Sequence, residues 1–145
     1  LLEDPRVKPE HEKESVAEAL SIAIARKNIE IIKLLLSDKR VDPGADFNRP
    51  IKVASQFGNL EVVKMLINNP KVDPSAPDLS NNEENFSIKS AATGTREGKT
   101  QQERNDFFDI VKLLLTSPKV IGKLSEDEVN KYKEMTKEKI VKESI

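Results

Sequence analysis

One nine-residue pattern occurs three times in this chain. It reads NIEIIKLLL at residues 28–36, NLEVVKMLI at residues 59–67 and FFDIVKLLL at residues 107–115. The first two copies start 31 residues apart, and the third starts 48 residues after the second. A period of this length is typical of helix-pair units, which stack on their neighbours because none can bury its apolar face alone. The repeat therefore predicts a helical solenoid, an architecture that commonly presents a surface to another macromolecule.

Each copy has the apolar spacing of one helix face. In the first copy Ile31, Leu34 and Leu35 recur three and four positions apart, and the other copies keep this spacing. A second helix with smaller residues is predicted upstream of each copy. Its three occurrences share an aligned alanine at Ala23, Ala54 and Ala91. We expect these alanines to let neighbouring helices approach closely.

Two capping signals predict where helices begin. Ser15 followed by Glu18 is a capping box that predicts the start of the first inner helix. Ser125 precedes three acidic residues at 126–128, which predicts a C-terminal helix. Its thin apolar stripe predicts a cap over the last repeat, and a partner-docking helix is the alternative.

A polar turn and an extended segment are predicted after each outer helix. The segments Val41-Asp42-Pro43 and Val72-Asp73-Pro74 follow the first two copies, and Val120 begins a third. Proline after a helix blocks its continuation. We expect each valine to anchor its loop on the stack.

The chain resembles the ankyrin repeat family over about residues 15–120. The sequence GNLEVVKMLI at residues 58–67 is close to the family's G-H-L-E-V-V-K-L-L, whereas the family's T-P-L-H-x-A opening is weak. The V-D-P loop is similar to variant ankyrin arrays of amoebae and large DNA viruses. The resemblance implies an all-α, ankyrin-like helical-repeat solenoid, here with a C-terminal capping helix, and a role in protein–protein interaction.

We predict a single ankyrin-repeat domain over residues 1–145. Its parts are a tail and linker (1–14), repeat 1 (15–48), repeat 2 (49–85), repeat 3 (86–120) and a C-terminal helix (121–145). LLEDPRVKP at residues 1–9 aligns with LLSDKRVDP at residues 35–43, which is the tail of an outer helix. We therefore expect the parent protein to continue upstream. A degenerate N-terminal cap is the alternative.

Two insertions interrupt the array, one within residues 76–85 and one within residues 93–106. The second is predicted to be a polar, partly disordered loop that either contacts a partner or is a tolerated excursion. Its segment GTREGKT at residues 94–100 suggests a phosphate-binding loop. However, only three residues separate Gly94 from Gly98, and a P-loop needs four. This spacing favours a polar loop over a nucleotide site.

The composition argues against most site chemistry. Charged residues make up 34% of the chain but leave a net charge of -1, which argues against nucleic-acid and membrane-surface binding. There is no cysteine, and His11 is the only histidine, so we expect no enzyme activity, no metal and no cofactor. The lack of cysteine is compatible with a reducing compartment, and we expect an intracellular, cytoplasmic location. We also expect a monomer.

The resemblance also implies where a partner would bind. Ankyrin partners dock on the concave side, at the loop tips and inner helices. Transferred by alignment, the predicted partner-binding residues are Arg26, Asp46, Phe47, Asn48, Gln56 and Phe57. The two phenylalanines are the sharpest candidates, unless each packs between repeats instead. The predicted function is non-catalytic binding of a protein partner of unknown identity. The alternative is a substrate-targeting or regulatory region of a larger enzyme or adaptor complex.

Overall fold

The computed structural model describes the chain from residue 9 to residue 144, with side chains at residue 16 and at residues 18–136. This part of the chain contains helices and no strand. The three helix pairs are α1 (Pro9–Ala25) with α2 (Ile29–Ser37), α3 (Ala45–Gln56) with α4 (Leu60–Leu66), and α5 (Phe86–Glu97) with α6 (Gln101–Leu114). A one-turn helix α7 (Pro118–Ile121) and the long helix α8 (Glu126–Ser144) follow them.

The helix pairs stack in chain order, which confirms the predicted all-α repeat solenoid. The inner helix α3 packs between α1 and α5, and the outer helix α4 packs against α6. The aligned alanines Ala23, Ala54 and Ala91 are all buried. The largest fully buried side chains are aliphatic, and Ile24, Ile51 and Ile88 among them are wholly enclosed. Each such side chain stabilises the fold by about 1.5–3 kcal/mol relative to exposure.

Asparagine caps begin the first two outer helices. The Asn28 side chain accepts a hydrogen bond from the Ile31 amide (3.3 Å), and Asn59 does the same for Val62 (3.4 Å). Replacing such a cap by alanine typically costs about 1 kcal/mol. The Asn59 Nδ2 also donates to the Ile24 carbonyl (3.2 Å), so this cap ties the second repeat to the first.

The predicted valine anchors are confirmed, because Val41, Val72 and Val120 are all buried. The predicted extended segment is wrong in the third copy, where α7 forms instead. Pro118 occupies the first turn of this helix, where its missing N–H is not needed. The third copy also lacks the aspartate that follows the other two valines. In the second copy Asp73 accepts from the Ser75 amide (3.0 Å) and holds the turn.

The predicted start of the first inner helix at Ser15 is wrong. Helix α1 already begins at Pro9, a residue suited to the first helical turn, and it continues through a run of helix-forming charged residues. The side chains of Ser15 and His11 lie outside the described residues. The predicted tail of a preceding repeat falls mostly on residues 1–8, which are also outside them, and it stays a prediction.

The second insertion is helical, so the predicted partly disordered loop is wrong. Helix α5 continues to Glu97 and α6 begins at Gln101, which leaves only a short turn at residues 98–100. Relative to the second repeat, the insertion lengthens α5 by about one turn and α6 by about two. A capping box between Thr100 and Glu103 begins α6. Polar side chains four residues apart, such as Gln101 and Asn105 (2.8 Å), support its added turns.

The C-terminal helix begins at the predicted cap. The Ser125 Oγ accepts from the Glu128 amide (3.1 Å), and the Glu128 carboxylate accepts from the Ser125 amide (3.1 Å). Helix α8 packs against α6 and buries Tyr132, which is 4% exposed. Met135 lies 3.9 Å from the Thr95 hydroxyl on α5. Helix α8 therefore covers the last helix pair, as a cap does.

Candidate protein-binding groove

A groove of about 550 Å³ lies along the inner helices. Its walls come from α1, from α3, from the insertion at residues 76–85 and from the first residue of α5. We call it the inner-helix groove and define it by six of its lining residues. These are Ile22, Asp46, Lys52, Gln56, Phe57 and Leu79.

Three of the large apolar side chains that line this groove are exposed. Ile22 is 46% exposed, Phe57 is 49% exposed and Leu79 is 64% exposed. Single exposed apolar residues are ordinary, but several around one depression commonly mark an interaction site. The groove therefore has the apolar centre that a protein-binding surface needs.

Helix α3 is kinked near its N-terminal end, where residues 46–48 are not helical and form a loop tip beside the groove. Asp46, Phe47 and Asn48 all adopt the left-handed conformation, with φ of 53°, 56° and 61°. This conformation costs a residue with a Cβ about 1–2 kcal/mol. It directs Phe47 outward, where the side chain is 67% exposed. The tip therefore presents an aromatic side chain next to the groove.

Asn48 holds this loop rather than presenting a free side chain. Its Oδ1 accepts from the Asp73 amide (2.8 Å), and its amide donates to the Gly44 carbonyl (3.1 Å). Asn85 occupies the same position before α5, is also left-handed, and donates to the Val120 carbonyl (3.4 Å). These two asparagines link successive loops, a role that the sequence analysis missed. Both asparagines lie three residues before an aligned isoleucine, Ile51 or Ile88. This alignment could have indicated their role, because asparagine is enriched in the left-handed conformation.

The structure brings together part of the predicted site. Asp46, Gln56 and Phe57 line the inner-helix groove, and Phe47 with Asn48 forms the adjoining tip. Arg26 is exposed after the end of α1 and is not among the lining residues. The exposure of Phe47 and Phe57 shows that neither ring is buried between repeats, so the alternative packing role is wrong for both.

Three of the six residues that define the groove, Ile22, Lys52 and Leu79, were not predicted from the sequence. Leu79 was visible as the only large apolar residue of the first insertion, at residues 76–85. Ile22 and Lys52 carried no signal, because their access to the groove depends on the path of the loops around them. Ile22 and Leu79, two of the three exposed apolar side chains of the groove, were thus not indicated by the sequence as binding residues.

The carboxylates at the groove have partners within the chain. Asp46 pairs with Arg49 at 3.3 Å, a contact of little stability because both side chains are exposed. Hydrogen bonds from Ser80, through its amide and hydroxyl, lower the pKa of Asp78. Across the described residues, no group of three or more His, Cys, Asp or Glu side chains is placed to hold a metal ion. Within the described part of the chain, no helix has both the length and the apolar character needed to cross a membrane.

A second depression of about 570 Å³ lies where α3 ends, against the lengthened part of α5 and α6. Phe57 and Gln56 line it as well, so they form the ridge between the two depressions. It also contains Gly94, whose absent Cβ would lie 2.4 Å from the Phe107 ring. This glycine is therefore required for helix packing.

The amides of the suspected phosphate loop are already occupied. The Lys99 amide donates to the Glu103 carboxylate at 2.7 Å, and the Thr100 amide donates to the same oxygen at 3.4 Å. A phosphate-binding loop needs such amides free to curl around the anion. The geometry of residues 94–100 is thus that of a helix-capping turn.

The stacked helix pairs agree with a comparison against protein families. A family model described as ankyrin repeats (3 copies) matches residues 1–78. The chain belongs to the ankyrin repeat family. No curated protein and no solved structure matches it. Ankyrin repeats are generally modules for protein–protein interaction and are typically non-catalytic. The third helix pair lies beyond the matched residues, so its assignment as an ankyrin repeat rests on the repeated pattern and on its stacking.

Proposed function

We propose that this ankyrin domain is a non-catalytic module that binds a protein partner through the inner-helix groove and the Phe47 loop tip. The observation that carries the proposal is the placement of Ile22, Phe57 and Leu79, three exposed apolar side chains, around one groove. Phe57 is the aromatic residue among them, and aromatic anchors commonly dominate binding energy at protein interfaces. The proposal includes a monomer in an intracellular, cytoplasmic setting.

The test is partner capture by two matched variants. The double variant Phe47→Ala, Phe57→Ala removes both exposed rings from the groove region. The control Leu34→Ala, Ile121→Ala removes two side chains that are also exposed, 71% and 37%, but belong to α2 and α7, away from the groove. Proteins captured from the native cell by the parent chain should be retained by the control and lost by the groove variant. Equal capture by both variants contradicts the proposal.

This comparison can be interpreted only if both variants keep the fold. Because all four side chains are exposed, each variant should unfold within about 1 kcal/mol of the parent chain. A regulatory or targeting region of a larger enzyme would use the same groove. It would differ only in carrying a catalytic domain elsewhere in the same gene product.

We further propose that another ankyrin repeat stacks on α2, so that the domain is one segment of a longer array. Ile31 is 46% exposed, whereas its equivalents Val62 and Ile110 are fully buried. An apolar residue at a stacking position is the expected feature of an uncovered repeat edge. Adding the coding sequence upstream of Leu1 should then raise the melting temperature. An initiator Met codon immediately before Leu1 contradicts this proposal.

A further inference from the structure

The Lys52 side chain is largely buried, and its ammonium group has no close partner among the described residues. It lines the inner-helix groove from α3 and is only 8% exposed, although lysine is almost never so buried unless it is paired. Among the described residues, no hydrogen bond or ion pair reaches its ammonium group. Burial lowers the pKa of Lys52, and the attraction of Asp78, Asp46 and Asp73 offsets part of this effect.

The neighbouring carboxylates attract Lys52 but are held elsewhere. Asp78 accepts from the Ser80 amide and hydroxyl (2.8 and 2.7 Å), Asp46 pairs with Arg49 (3.3 Å), and Asp73 accepts from the Ser75 amide (3.0 Å). None of the three forms an ion pair with Lys52. The groove therefore contains an ammonium group that still reaches solvent and forms no ion pair with a carboxylate of the described residues.

The next repeat provides an internal comparison. Lys89 follows Ile88 on α5 as Lys52 follows Ile51 on α3, so the two lysines occupy equivalent positions. The Lys89 ammonium pairs with Glu83 and lies 3.9 Å from Glu128. The lysine at this repeat position is therefore paired with a carboxylate in the third repeat but not in the second, where it lines the groove.

We propose that Lys52 binds one carboxylate of the partner, an Asp or Glu flanked by apolar residues, when a peptide segment occupies the groove. This inference rests on the proposed function. A segment that covers the groove removes the remaining water from the ammonium, and a buried charge is costly unless an opposite charge meets it. Ile22, Phe57 and Leu79 surround the same groove and fit the flanking apolar side chains.

The local charge favours a carboxylate over a phosphate. Asp46 and Asp78 line the groove together with Lys52. A phosphate carries about two negative charges at neutral pH and would be repelled by both aspartates. A carboxylate carries one charge, so the same aspartates repel it about half as strongly, and contact with the Lys52 ammonium opposes that repulsion.

The test uses peptides of random sequence displayed on phage and selected on the immobilised domain. Peptides that depend on Phe57 should be enriched in one acidic residue with apolar neighbours. A synthetic copy of an enriched peptide should lose roughly thirtyfold or more in affinity when its acid is changed to the amide. The variant Lys52→Met should weaken the acidic peptide by a similar factor and leave the amide peptide unchanged.

Further variants separate charge from packing. Lys52→Arg should keep the acidic preference, and Lys52→Glu should select basic peptides instead. Lys89→Met should leave peptide affinity unchanged, because Lys89 does not line the groove. A phosphoserine in place of the acid should weaken binding. Thermal melting checks each variant, and Lys52→Met should fold normally because it removes an unpaired charge from a largely buried side chain.

The results distinguish a failure of the Lys52 inference from a failure of the groove proposal. If Phe57-dependent peptides bind but show no acidic preference, or if their amide copies bind equally well, the Lys52 inference is overturned and the groove proposal stands. If no selected peptide depends on Phe57, both are overturned. Tighter binding of the phosphoserine peptide refutes the choice of a carboxylate.

Discussion

Lys27 and Gly58 illustrate how single residues set the turn between paired helices. They occupy the same position of the first and second repeats, and both have a left-handed backbone, with φ of 57° and 71°. Glycine adopts this conformation without strain, whereas lysine pays about 1–2 kcal/mol for it. The first repeat therefore contains local strain that the second repeat avoids.

We predict that Lys27→Gly raises the free energy of unfolding by about 0.5–1 kcal/mol. The relief of left-handed strain exceeds the added entropy of glycine in the unfolded chain. Urea denaturation measures the change. The control Lys33→Gly places the same substitution at an exposed position inside α2, where it should lower stability by about 1 kcal/mol. Equal destabilisation by both substitutions would mean that the turn at Lys27 is not left-handed.

At the scale of helices, periodicity predicted the pairs but could not predict their lengths. The apolar spacing in the three copies marked α2, α4 and α6 correctly, because burial of one face requires it. The added turns of α5 and α6 are mostly polar and carry little apolar periodicity. The capping box of Thr100 and Glu103 was the signal available for the true start of α6, and it was overlooked.

The same limit explains the partial prediction of the groove. Phe57, Gln56 and Asp46 were found by alignment, because repeat proteins keep their surface positions in register. Lys52 was missed because a lysine in an amphipathic helix normally faces water. Its burial results from the loops that surround the groove, and loop paths do not follow from apolar spacing.

The lengthened helix pair offers a test of its packing. We predict that Gly94→Ala lowers the free energy of unfolding by about 1–3 kcal/mol, since the new methyl would overlap the Phe107 ring. The double variant Gly94→Ala, Phe107→Leu should be less destabilised than the two single effects added together, because the smaller side chain frees space. Simple additivity in urea denaturation would contradict the close contact of α5 with Phe107.

At the scale of the whole molecule, each helix pair is stabilised by packing against its neighbours. The inner helix α3 contacts α1 on one side and α5 on the other, whereas α8 contacts α6. In such an array each unit depends on its neighbours, and a terminal unit needs its open face covered. Helix α8 supplies this cover through Tyr132 and Met135.

We predict that Tyr132→Ala lowers the free energy of unfolding by about 2–4 kcal/mol, because it leaves a cavity under α8. Lys133→Ala, which changes an exposed neighbour, should stay within about 0.5 kcal/mol of the parent chain. A chain that ends before Ser125 should melt at a lower temperature. Its amide protection should fall most in α5 and α6 and least in α1, because the lost contacts lie at the last helix pair. If truncation leaves the melting temperature unchanged but abolishes partner capture, α8 is a docking helix and not a cap.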